Sequence, residues 1–252
     1  MKLNKSKREE QSSMKMEEFK REFEKYLEKM SISLDKEQYD QFYAYMELLI
    51  EWNEKINLTA ITEPKEIILK HFVDSLTIAK YIEDGTSIID MGTGAGFPGI
   101  PLKIYRKDVK VVLADSLNKR IKFLNEVIEK LQLENIETIH CRAEELGKNK
   151  QYREKFDYAT SRAVANLSTL SEYLIPFVKL NGDCIFMKTM EVDEELEKAK
   201  KAIKILGGKI EKVDKFEIPE SDLGRSIIIV KKEMKTPNTY PRKPGTPAKE
   251  PI

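Results

Sequence analysis

The chain has 252 residues, which suits one domain of generous size or one domain with a helical extension. Hydrophobic residues make up 40% and charged residues 35%, so a sizeable core can lie beneath a wet surface. The formal net charge of +1 excludes a chain that is basic throughout, and any nucleic-acid surface must come from local clustering.

The first residues, Met1-Lys-Leu-Asn-Lys5, carry no apolar h-region, and no apolar run approaches the roughly 20 residues that cross a bilayer. Cys141 and Cys184 lie far apart, and His71 and His140 are the only histidines. A Cys/His zinc site is therefore not expected, and a reduced, cytoplasmic protein is.

Residues 1–30 form a charged extension whose first dozen residues are expected to be mobile; Phe19, Phe23 and Tyr26 recur at helical spacing. Asp35 and Gln38 form a capping-box pattern that opens a helix to Asn57, with Tyr39, Phe42, Met46 and Leu49 on its apolar face. A second helix is expected from Thr62-Glu63-Pro64, with the Thr62 hydroxyl as cap, to Tyr81. Residues 31–84 thus read as a helical extension.

From residue 85 to 233 strands and helices alternate. Strands are expected at Ser87–Met91, Val109–Asp115, Ile136–His140, Phe156–Ser161 and Asp183–Lys188, then at Lys209–Ile218 and Arg225–Lys231. Helices are expected at 98–107, Asn118–Leu131, Ala163–Val178 and Glu191–Leu206. Such alternation implies an α/β, doubly wound sheet. Residues 234–252 hold five prolines and more basic than acidic side chains. Regular structure is not expected there; the segment reads either as a solvated tail or as a basic arm that touches phosphates.

The densest signal is Asp90-Met-Gly-Thr-Gly-Ala-Gly-Phe-Pro-Gly99, at the junction of the first strand and first helix of the sheet. Gly92, Gly94 and Gly96 permit tight turns and close approach of a ligand. Gly94-x-Gly96-x-x-Gly99 formally matches the dinucleotide fingerprint, which keeps an NAD(P)-dependent oxidoreductase open as a rival. Against a pyrophosphate stand Pro98 and Pro101, which remove amide donors, and Asp90, which repels anions. S-adenosylmethionine carries an ammonium and a sulfonium and no phosphate, so a nearby acid suits it. Asp115, about 20 residues on, can accept from ribose hydroxyls in either case, or can be a helix cap.

With the first strand central and the second and fourth beside it, Arg162 comes to the mouth of the pocket, Arg142-Ala143-Glu144 to the adenine end, and Lys188 toward the site. No Ser/His/Asp or Cys/His nucleophile constellation is visible.

Several blocks together resemble the bacterial 16S ribosomal RNA guanine-N7 methyltransferases, also called the glucose-inhibited division protein B family. They are Trp52-Asn-Glu-Lys-Ile-Asn-Leu-Thr59, His71-Phe-Val-Asp-Ser75, the glycine loop through Pro101, Asp115-Ser-Leu-Asn-Lys-Arg120, Arg142-Ala-Glu144, Ser161-Arg-Ala163 and Tyr240-Pro-Arg-Lys-Pro-Gly-Thr-Pro247. The resemblance implies a Rossmann-like (class I) methyltransferase sheet with an N-terminal helical extension. It implies S-adenosyl-L-methionine as cofactor and, as substrate, a guanine (position 527) in the 530 loop of 16S rRNA, free or in the small-subunit particle. Carried over residue by residue, it puts Gly92, Phe97, Ala143, Glu144 and Arg162 at the cofactor.

Guanine N7 has a lone pair and no proton, so attack on a sulfonium methyl needs alignment and no general base. The candidates for orienting guanine or phosphate are Arg142, Arg162, Lys188 and His71. His71 reads equally as a hydrogen-bonded residue of an interdomain seam, and Trp52 as core or as a stacking platform. A small-molecule methyltransferase, which would turn over without RNA and without the tail, and a non-catalytic RNA-binding factor, which would leave no methyl in RNA, are further rivals.

Overall fold

The computed structural model describes residues 14–162 and 165–252. The expected mobility of the first dozen residues, and the expected helix start at Ala163, lie outside the described residues.

The sheet has seven strands in the order β3-β2-β1-β4-β5-β7-β6. They are β1 (Ser87–Met91), β2 (Lys110–Asp115), β3 (Ile136–His140), β4 (Phe156–Ser161), β5 (Val178–Thr189), β6 (Gly208–Glu217) and β7 (Gly224–Lys232). β1 is flanked by β2 and β4, as expected, and β1 to β5 run parallel. β7 is antiparallel to β5, and β6 to β7. The reversal in strand order beside β1 creates a crevice at the strands' carboxyl ends, where such sheets bind ligands.

Before the sheet come α1 (Met16–Lys29), α2 (Lys36–Ile56), α3 (Pro64–Ile67) and α4 (Asp74–Leu76). The capping box at the start of α2 is present: the Asp35 carboxylate accepts from the Gln38 amide, and the Gln38 side chain accepts from the Asp35 amide. At α3 the cap is Glu63, whose carboxylate accepts from the Glu66 amide, and not Thr62. The expected long helix to Tyr81 is broken between α3 and α4 by a π-helical stretch, Ile68–Val73. Its wider turn carries His71 and leads into Asp74, and both reach Arg162.

The remaining helices are α5 (Gly99–Tyr105), α6 (Asn118–Lys130), α7 (Ala143–Leu146), α8 (Leu167–Leu174), α9 (Asp193–Ile205) and α10 (Thr246–Lys249). The helix expected to reach Val178 ends at Leu174, because Pro176 initiates a 3-10 turn and β5 begins at Val178. β5 is consequently longer than expected.

One apolar cluster joins Phe19 and Phe23 of α1, Phe42 and Tyr45 of α2, and Phe72 to Ile88, Leu113 and Phe123 under one sheet face. Phe23 meets Phe42 edge-on at 5.0 Å, and Phe72 lies 5.1 Å from Phe42 and 5.4 Å from Tyr45. Trp52 belongs to this side, tilted on Phe123 at 5.7 Å. A second cluster under α8 and α9 covers the other face, around Ile89, Leu174, Phe177 and Phe186.

The tail is neither free nor without regular structure. Arg153 donates to the carbonyls of Tyr240 and Thr236, each at 2.8 Å, and Thr246–Lys249 makes one helical turn. Prolines cannot supply the amides that would pair these carbonyls locally, so an arginine side chain does so instead.

Candidate cofactor and substrate site

A cavity of about 400 Å³ opens at the carboxyl ends of β1, β2 and β4. Gly92, Asp115, Arg142, Ala143, Glu144 and Ser161 are in its wall. The two halves of the glycine loop do different things. Gly92 and Gly94 have φ of +70° and +64°, and a Cβ on either would meet nothing within 4 Å. On Gly96 it would lie 2.5 Å from Ile100 Cδ1 and 2.7 Å from the Tyr45 hydroxyl, and on Gly99 it would lie 2.3 Å from Leu113 Cδ2. The front half faces open volume; the back half exists to be packed.

Asp90 is only 1% exposed and does not reach the cavity wall. Its Oδ2 accepts from the Thr93 hydroxyl at 2.7 Å and the Gly99 amide at 2.9 Å, while Oδ1 has no partner among the described residues. Burial pushes its carboxyl up to about 6. The expected charge partner of a cationic ligand therefore acts as the clamp of the loop, because it lies behind the loop on β1. Asp115 does face the cavity; its carboxylate accepts from the amides of Gly94 and Leu117, each at 2.9 Å, and meets Arg120 at 3.2 Å.

The loop amides are directed inward. Gly92 and Thr93 donate to the Ala114 carbonyl, Gly94 to Asp115, Gly96 and Phe97 to the Thr93 carbonyl, and Gly99 to Asp90. A pyrophosphate would need such amides free, and would meet the Asp115 and Glu144 carboxylates. The wall suits a nucleoside with a positively charged chain: open space at Gly92, acids at Asp115 and Glu144, and a buried Ser161 hydroxyl without a partner among the described residues. Arg142 lines the cavity with an exposed side chain.

Beside it lies a second cavity of about 630 Å³. Ser161 and Ala165 face the first, Arg162 and Asn166 the second. Arg162 donates to the Lys70 carbonyl at 2.9 Å, to Asp74 at 3.1 Å and to His71 Nδ1 at 3.0 Å, and its guanidinium lies 4.9 Å from the Phe97 ring. A guanidinium only donates, so His71 Nδ1 accepts and the ring proton sits on Nε2, donated to the Thr59 hydroxyl at 2.9 Å. Burial, then the Arg162 charge, hold the His71 imidazole down at about 3. His71 is thus neutral, with its acceptor lone pair already occupied.

Phe97 lines neither cavity; it stacks on His71 at 4.3 Å and 13° and carries Arg162 on its face. The cofactor contact that the resemblance assigns to it is not one its side chain makes through the cavity wall. Lys188 faces the second cavity, with Nζ donating to the Ala165 carbonyl and to Glu195, each at 2.6 Å.

Three residues escaped sequence reasoning. Tyr45, fully buried, donates its hydroxyl to the Ala95 carbonyl and so lets the helical extension brace the loop. Arg225 on β7 donates to the other oxygen of Asp74 at 2.8 Å. Gly245 of the tail enters the wall of the first cavity. Their signals are tertiary: each partner is 50 or more residues away. Thr59 was within a quoted block, but no spacing tied it to His71.

The family model for the small-subunit rRNA methyltransferase G, or GidB, matches residues 38–224. The chain is 54% identical over 225 residues to the Ribosomal RNA small subunit methyltransferase G of Desulforamulus reducens, covering 88% of this chain and 94% of that one. It is 55% identical over 222 residues to the protein of the same name from Acetivibrio thermocellus, covering 88% and 91%. Among solved structures it is similar in fold to a SAM dependent methyltransferase from Aquifex aeolicus, with TM-score 0.51, 18% identity, and 69% of this chain and 96% of that one covered. From the glycine loop to the Arg162 wall, and over most of its length, the chain belongs to the small-subunit ribosomal RNA methyltransferase G family.

Proposed function

We propose that this chain methylates N7 of a guanine in the 530 loop of small-subunit ribosomal RNA, with S-adenosyl-L-methionine as methyl donor. The observation that carries the donor is the inward direction of the loop amides beside an acid-lined cavity, which disfavours a diphosphate and so the oxidoreductase rival. When bound, the donor supplies a sulfonium methyl, an electrophile that guanine N7 attacks without loss of a proton.

The residues divide the remaining work. Gly92 leaves room for the cofactor's chain, and Asp115 and Glu144 face its nucleoside end. Ser161 offers an unpaired hydroxyl at the partition. The acceptor enters by the second cavity, where Lys70, Arg162, Lys188 and Arg225 outnumber Asp74 and Glu195. This cationic wall favours a polyanion and can read the N7 and O6 acceptors of guanine. His71 orients Arg162 through Nδ1 and takes no proton. Catalysis here is alignment of N7 with the sulfonium methyl.

We further propose that the chain acts in the cytoplasm, as a monomer, on RNA or a ribosomal particle. Among the described residues no helix is long and apolar enough to cross a membrane. The test is incubation of the chain with methyl-labelled cofactor and unmethylated small subunits, followed by mapping of labelled bases. Label at guanine N7 in the 530 loop is the expected outcome. Label only on a small molecule, or binding of NAD in place of the sulfonium donor, overturns the proposal.

A further inference from the structure

Two buried carboxylates beside the cofactor cavity take hydrogen bonds from the C-terminal tail. Glu172, on α8, is 0% exposed. Its carboxylate accepts from the Arg242 amide at 2.7 Å, from Arg242 Nε at 3.0 Å and from Nη2 at 2.7 Å. Glu144, in the cavity wall and 6% exposed, accepts from the Gly245 amide at 2.8 Å. Between them Tyr173 also faces the cavity, its phenol pushed up to about 12 by burial and then by the charges of Glu144 and Glu172. The Thr169 hydroxyl donates to the Pro247 carbonyl at 2.9 Å, and Pro241 is seated against Gly147 just after α7.

The tail both covers and pairs these carboxylates, so undocking it would strip Glu172 and Glu144 of their charge-assisted hydrogen bonds, the second in the wall of the cavity. The tail is tied to the same two elements, α7 and α8, that bound the cavity opposite the glycine loop. Lys235, Lys243 and Lys249 of the tail are exposed and have no ion-pair partner among the described residues.

We infer that residues 240–247 are a strap that belongs to the cofactor site: docked through Arg242 on Glu172 and Gly245 on Glu144, it fixes Arg142 and the start of α7 and closes that side of the cavity. The inference rests on the donor assignment made under the proposed function. It gives residues 240–247 a role other than the solvated tail or phosphate-touching arm expected of the sequence. Because coupling is reciprocal, a bound cofactor must in turn hold the strap down.

The test uses the full chain and S-adenosylmethionine. Calorimetry on Arg242→Gln should show cofactor affinity lowered about tenfold, an ordinary coupling between linked sites. The Glu172→Gln/Arg242→Gln double variant should recover most of it, since the buried charge is gone; RNA affinity in a salt series should be the same for all three. Wild-type protein with saturating cofactor should be cut more slowly by trypsin after Lys235 and Arg242, a readout that stands even if a variant fails to fold. Unchanged cofactor affinity in Arg242→Gln, or equal cutting with and without cofactor, overturns the strap alone. Failure of the wild type to bind the cofactor overturns the donor assignment and the strap with it.

Discussion

The two cavities share a partition and differ in what their walls leave unpaired, although Asp115 and Glu144 in the first have partners too. In the second, His71, Asp74, Arg162, Lys188 and Arg225 all have protein partners before any ligand arrives. In the first, Ser161 has an unpaired hydroxyl and Gly92 opens on empty volume. A wall with spare hydrogen-bonding capacity accepts a small ligand as it stands. A wall already paired accepts an RNA group only by exchanging partners, so its selectivity lies in what is good enough to displace Asp74 or His71 from Arg162.

The contrast breaks most visibly at Asp74. This carboxylate, 3% exposed, is shared by Arg162 and Arg225. Asp74→Ala leaves two cations facing each other, and should cost about 3–5 kcal/mol in urea unfolding. A loss below about 1 kcal/mol, the scale of a surface ion pair, would mean the second cavity is not held by its own pairing. Arg162→Ala should lower turnover strongly and also destabilise the chain, because it strips Asp74, His71 and the Phe97 face together.

Next in size comes the glycine loop. Gly99→Ala forces a methyl to 2.3 Å from Leu113 and 3.0 Å from the Asp90 carboxylate, and should cost about 1–3 kcal/mol of stability as overpacking. At Gly92 a Cβ meets no neighbour, but the positive φ opposes any side chain; Gly92→Val should cost stability through backbone strain, and abolish cofactor binding by occupying the cavity. Calorimetry that finds wild-type affinity in Gly92→Val would remove the front half of the loop from the site. Ser161→Ala sharpens the contrast from the other side: unfolding stability should hold or rise, because an unpaired buried hydroxyl is removed, while cofactor affinity falls.

What the sequence made legible was local or periodic. The Asp35–Gln38 box closes over four residues, and β1 and β2 centre on short apolar runs, Ile88-Ile89 and Val111-Val112-Leu113-Ala114, so both were readable. The strand order beside β1 followed from alternation and crossover rules, and with it the places of Asp115, Ala143 and Glu144 at the first cavity; Arg162, which the resemblance puts at the cofactor, lines the second. Partner choice was not readable. The place of Asp90 just before the loop suggests a ligand contact, while its bonds to the Thr93 hydroxyl and the Gly99 amide leave no trace in the sequence. The π-helical stretch and the docking of Arg242 on Glu172, 70 residues apart, leave no periodic trace. Proline content excluded long helices in the tail but did not indicate that a buried carboxylate awaited it.

At neutral pH the smallest effect belongs to His71→Gln, since glutamine can accept from Arg162 and donate to Thr59 as the neutral ring does. The difference emerges on acidification. The imidazole falls from its ordinary 6.5 to about 3 in the folded chain, through burial and then the Arg162 charge. The unfolded chain therefore binds the extra proton first, and wild-type stability is full above pH 6.5 and drains as pH falls toward 3. Asp90 acts with the opposite sign: raised by burial from 3.8 to about 6, it favours the folded state fully below 3.8 and loses that contribution as pH rises through 6. Subtracting the stability curve of His71→Gln from that of the wild type cancels Asp90 and every other shared group. The difference should be flat above pH 6.5 and slope downward for the wild type below it. Parallel curves would mean that the His71 ring accepts a proton in the folded chain without losing Arg162, and the second cavity would then be a wall that protonation loosens and not one that pairing has locked.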